Sequence, residues 1–78
     1  MEHDQAVKLV QDAVREHLCT SPDAYTLETS LSQLGADSLD FVSICLLIED
    51  KIGKEIKNVH VEQYKTIGDL VSLLELRY

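Results

Sequence analysis

A single serine stands between two aspartates in the run Asp37-Ser38-Leu39-Asp40, and Leu34-Gly35-Ala36 leads into it. A serine hydroxyl does chemistry in two ways. It attacks when a histidine base is held against it, or it accepts a group that another enzyme delivers. The first way finds no support, because His3, His17 and His60 lie in no hydrolase context and no glycines flank Ser38 on both sides as in a nucleophile elbow. The second fits the local grammar. Gly35 permits a tight turn, Asp37 is placed to cap a helix, and Asp40 falls three residues on, where an acid meets the free N–H groups of the first turn. Ser38 then occupies the first helical position with its hydroxyl outward. It reads as a substrate of another enzyme, and the chain as a non-enzyme.

The elements that must hold this serine are helical. From Asp4 to about Leu18, residues Ala6, Val7, Val10, Ala13, Val14 and Leu18 form one apolar face, with Asp4 as its expected cap. Thr20-Ser21-Pro22-Asp23 should end that helix, with Cys19 near its end. A long connection follows, over residues 20 to 37, which Tyr25, Leu27, Leu31 and Leu34 should pin to the core. The second helix is expected from Ser38 to about Ile52, closed by a left-handed Gly53 with Lys51 and Lys54 near its negative end. Its buried stripe is read as Val42, Cys45, Ile48 and Ile52, with Leu39, Phe41, Ile44, Leu46 and Leu47 spread over the rest. Asn58 is the expected cap of a short third helix over about Val59 to Tyr64. Thr66-Ile67-Gly68-Asp69 repeats the capping pattern and opens a fourth helix to about Leu76, with Ile67, Leu70, Val71, Leu73 and Leu74 inward. The expectation is an all-α, four-helix bundle in one domain, residues 1–78, with three longer helices, a short third one and a long first loop.

A chain of 78 residues leaves little room for a catalytic cleft, which favours a binding or carrier module. Its net charge of −7 argues against a nucleic-acid partner. Between Arg15 and Lys51 there is no basic residue, while Glu16, Asp23, Glu28, Asp37, Asp40, Glu49 and Asp50 all lie there. Any one of these acids also reads as ordinary solvated surface, but the run favours partners with basic patches. Cys19 and Cys45 make no disulfide framework, and Cys45 reads as a buried small hydrophobe. His17 and Cys19 are close in sequence, but two ligands do not make a zinc site, so no metal is expected. With no export signal and no long apolar run, the chain is expected to be a soluble, cytoplasmic monomer that does not bind membranes.

The string Leu34-Gly35-Ala36-Asp37-Ser38-Leu39-Asp40 resembles the modification site of the acyl carrier proteins, and the resemblance extends over essentially the whole chain. It implies that a phosphopantetheinyl transferase attaches 4′-phosphopantetheine to Ser38 as a phosphodiester. A phosphate at a helix N-terminus is favoured by the dipole and the unpaired amides there. The arm would carry acyl intermediates as thioesters to synthases, transferases or ligases of fatty-acid or related polyketide and specialised-lipid biosynthesis. Docking is then expected to involve Asp37, Leu39, Asp40, Leu46, Glu49 and Asp50. The acyl pocket is expected to be lined by Val42, Cys45, Ile48, Ile56 and Tyr64, with Tyr64 standing where the family more often has a small aliphatic residue. Ser32, Gln33, Ser43, Lys51 and Val59-His60-Val61-Glu62 depart from the acidic pattern of fatty-acid-synthesis carriers and point to a specialised member. The alternative is a carrier-like module that docks enzymes without bearing an acyl group.

Overall fold

The computed structural model describes residues 1–56 and 61–78. Three helices carry the architecture, α1 (His3–Leu18), α2 (Ser38–Ile52) and α3 (Ile67–Arg77), and no strand occurs among the described residues. The all-α expectation stands. Short 3-10 turns cover Pro22–Ala24, Ser32–Leu34 and Val61–Gln63. The last of these lies within the span expected for a short third helix, whose expected cap Asn58 falls outside the described residues.

Helix α1 packs against both α2 and α3. Its buried face is made of small residues, Ala6, Val10, Ala13 and Val14. Ile44 and Ile48 of α2 and Ile67, Leu70 and Leu74 of α3 fill the space between them. The helix begins at His3, with extended Glu2 in the capping position and no side-chain cap. Asp4 is thus not the cap; it lies inside the first turn, where its charge faces the positive end of the helix dipole. At the other end Cys19 is the cap residue in the left-handed conformation (φ 57°), donating its N–H to the Arg15 carbonyl at 2.9 Å.

The buried face of α2 differs from the expected stripe. Phe41, Ile44, Cys45 and Ile48 point inward, whereas Val42 is 52% exposed and Ile52 only partly covered. The physical reason is the breadth of apolar sequence on α2, which permits more than one inward face. Contact with α1 selects the one at 41, 44, 45 and 48, a spacing of three and four.

The first connection is held by backbone hydrogen bonds as well as by buried Tyr25 and Leu31. Ser30 and Thr66 form an isolated antiparallel bridge. Leu31 donates its N–H to the Lys65 carbonyl at 2.8 Å, Ile67 to Thr29 at 3.1 Å, and Gly68 to Leu27 at 2.7 Å. A Cβ on Gly68 would sit 2.9 Å from the Leu27 carbonyl oxygen, so the approach requires glycine. These bonds fix the stretch that leads to Ser38 against the start of α3.

Candidate functional site

Ser38 is the first residue of α2 and is exposed. Just before it, Gly35 turns the chain with φ 81°, a left-handed value that closes the 3-10 turn Ser32–Leu34. The expected capping box is complete. Asp40 N–H donates to Asp37 Oδ1 at 2.9 Å, and Asp37 N–H donates to Asp40 Oδ2 at 3.0 Å. Of the amides at the helix start, those of Ser38 and Leu39 then remain open among the described residues, and so does the Ser38 hydroxyl.

Asp40 has a further partner. His17 Nε2 lies 2.8 Å from Asp40 Oδ1, with both side chains partly buried. The capping bond from the Asp37 backbone, followed by the His17 contact, holds the Asp40 carboxyl below the usual aspartate range. Sequence reasoning missed His17. It lies 23 positions from its partner, and no periodicity links them; only folding of α1 beside α2 brings them together. The imidazole is engaged with Asp40 and gives Ser38 no base.

Beside Ser38 is a cavity of about 240 Å³. Leu31, Ala36, Phe41 and Tyr64 give it apolar wall, and Ser30, Ser32, Asp37, Ser38 and Lys65 give it polar wall. The Phe41 and Tyr64 rings stack with centroids 6.4 Å apart and planes 20° apart. Of the expected pocket residues only Tyr64 lines this cavity. Cys45 and Ile48 are packed into the core, Val42 faces out, and Ile56 packs partly against the core with its N–H held by Glu49 Oε1 at 3.0 Å. Phe41, read from sequence as outward, is the cavity's aromatic wall; the signal that marks it is the second aromatic, Tyr64, which only the fold brings near.

The expected docking residues lie mostly on the outside. Leu39 is 75% and Leu46 57% exposed, and with Val42 they recur at three and four along one face of α2. Asp37 and Asp50 are exposed, whereas Glu49 is partly covered and braces Ile56. Lys51 turns away to pair with Glu16 at 2.9 Å, and that contact raises its pKa. Burial pushes the Cys45 thiol up to about 11, with the charge of Glu49 adding to the shift. Among the described residues no group of three or more metal-ligating side chains occurs, and no helix is long and apolar enough to cross a membrane.

A family model described as a phosphopantetheine attachment site matches residues 8–74. The acyl carrier protein of Campylobacter hominis is 39% identical over 67 residues, 85% of either chain. The chain belongs to the acyl carrier protein family. Similar too are the acyl carrier proteins of Lactobacillus acidophilus, 32% identical over 76 residues (96% of this chain, 95% of that one), and of Exiguobacterium sibiricum, 37% identical over 76 residues and 96% of each. As a family member it is a carrier rather than a catalyst, with a covalently attached 4′-phosphopantetheine. Phosphopantetheinyl transferase and acyl-handling enzymes are its partners. The residues present suit such a group: an exposed, unbonded hydroxyl, two open amides beside it, and an adjoining cavity.

Proposed function

We propose that Ser38 bears the 4′-phosphopantetheine arm, and that this carrier presents acyl groups to enzymes with basic docking patches in fatty-acid or a related specialised biosynthesis. The observation that carries this reading is the exposed hydroxyl of Ser38 at the first position of α2, beside the open amides and the cavity. In the attachment step Ser38 Oγ bonds to phosphorus while the bond from that phosphorus to the nucleotide part of coenzyme A breaks. The hydroxyl proton passes to a base of the transferase, since among the described residues no base is placed to take it. The terminal thiol of the arm then holds acyl groups as thioesters.

The outward face of α2 is suited to receive partners. Leu39, Val42 and Leu46 supply apolar area, and Asp37, Asp40 and Asp50 frame it with negative charge. A cytoplasmic monomer that meets its enzymes one at a time completes the reading. Its decisive test is intact mass after incubation with coenzyme A and a broad-specificity transferase. The wild type should gain one arm and Ser38→Ala none. Gain at another residue, or none in the wild type, overturns it, and the latter result would instead favour an unmodified docking module.

A further inference from the structure

We infer that Lys65 is the counter-cation of the phosphodiester on Ser38, and that it directs the arm into the cavity walled by Phe41 and Tyr64. The inference rests on the attachment at Ser38 proposed above. Lys65 and Ser38 line the same cavity. The root of the lysine is fixed from both sides: its carbonyl accepts the Leu31 N–H at 2.8 Å, and its N–H donates to Asp69 Oδ2 at 2.9 Å. Those two bonds tie it to the segment leading to Ser38 and to the start of α3.

Its ammonium group has no ion-pair partner among the described residues. The ion pairs among the described residues are His3–Glu75, His17–Asp40 and Lys51–Glu16, and Lys65 enters none of them. That is notable in a chain with 14 acids against 7 Lys and Arg, where a cation has many acids to choose from. The charge at the site explains why a cation is useful there. A phosphodiester is a permanent anion, and on Ser38 it would stand beside the Asp37 carboxylate, which also lines the cavity. Asp40 is already met by His17. Among the described residues Asp37 has no basic partner, and Lys65 is the only basic residue lining the cavity. Two open amides supply hydrogen bonds but only partial charge. Lys65, next in the chain to Tyr64 of the apolar wall, supplies a full one. A phosphate drawn toward it starts the arm along Tyr64 and Phe41 instead of out into water.

The experiment uses the full chain in its apo and phosphopantetheinylated forms, as wild type, Lys65→Gln, Lys65→Arg and Lys65→Glu. Intact mass and fragment mapping first establish that each carries one arm on Ser38; failure at this stage overturns the attachment reading itself. The phosphorus-31 resonance and the apo-to-holo amide shifts of Leu31, Ala36 and Tyr64 are then followed against salt. In the wild type these amides should shift on modification, and salt should diminish the change. Lys65→Gln should reduce the seated population about two- to fivefold, the range of a partly exposed charge pair, with Lys65→Glu reducing it further and Lys65→Arg retaining it. Superimposable phosphorus and amide shifts for wild type and Lys65→Gln, both modified on Ser38, overturn the inference while leaving the attachment intact. Thermal melts of the apo forms separate any folding defect from this effect.

Discussion

Helices α2 and α3 begin with the same device and put it to different use. Asp37 with Asp40, and Thr66 with Asp69, each form a complete capping box, with the third helical residue and the cap exchanging side-chain-to-backbone bonds. In each case those bonds hold the acid of the box, Asp40 or Asp69, below the usual aspartate range. The difference lies in the first two helical residues. In α3 they are Ile67, fully buried, and Gly68, pressed on the Leu27 carbonyl. In α2 they are Ser38 and Leu39, both open to solvent. Capping decides where a helix starts, and tertiary contact decides whether that start is structure or site.

The largest expected effect contrasts the first helical residues. Ile67→Ala should cost about 2–5 kcal/mol, the range for a buried aliphatic truncated to alanine, whereas Ser38→Ala should stay within about 0.5 kcal/mol of wild type. Urea unfolding of the two variants checks this, and equal losses would break the comparison. At the second position, Gly68→Ala should cost about 1–3 kcal/mol, because its Cβ meets backbone that is itself hydrogen-bonded to the same residue. Leu39→Ala should leave stability nearly unchanged and slow acyl transfer by a partner enzyme, read from initial rates. The caps themselves should behave alike: Asp37→Ala and Thr66→Ala should each cost about 1 kcal/mol by the same unfolding assay.

The smallest effect is in acid. Asp40 and Asp69 have depressed folded-state pKa values, so each contributes stability that is present above the unfolded aspartate value of about 3.9 and is lost as pH falls through the folded one. Melting temperature should fall as pH drops below about 4, and Asp40→Asn or Asp69→Asn should each flatten part of that fall. A wild-type curve flat on the acid side would show that neither carboxylate is bonded in solution as it is in the structure.

What could be read from sequence was what is decided locally. Both capping boxes, the left-handed Gly53 and the span of α2 depend on neighbours within four positions, and the structure has them where the pattern put them. The inward face of α1 was legible because its apolar stripe is narrow. The inward face of α2 was only half legible: Cys45 and Ile48 are buried as read, but Phe41 and Ile44 complete the face instead of Val42 and Ile52, because Leu39 to Ile48 is apolar on nearly every side and only contact with α1 chooses. The same holds for the site. Ser38 was visible as a motif, while His17 against Asp40, Phe41 against Tyr64 and Lys65 on the cavity wall join residues far apart in the chain. Of the expected pocket residues, Cys45 and Ile48 are buried as read but lie in the core, Val42 faces out, and the cavity beside Ser38 shares only Tyr64 with the expected set.

The burial of Cys45 bears on keeping the cargo where it belongs. A thioester exchanges with any accessible thiolate, so a protein that ferries thioesters risks losing its load to its own sulfur. With its thiol pushed up to about 11, Cys45 stays protonated at neutral pH, and the core shields it besides. The same packing that closes α2 against α1 therefore insulates the acyl group from internal theft. Cys19, exposed at the end of α1, has no such shield and is the thiol at which alkylating reagents and wandering acyl groups should first register.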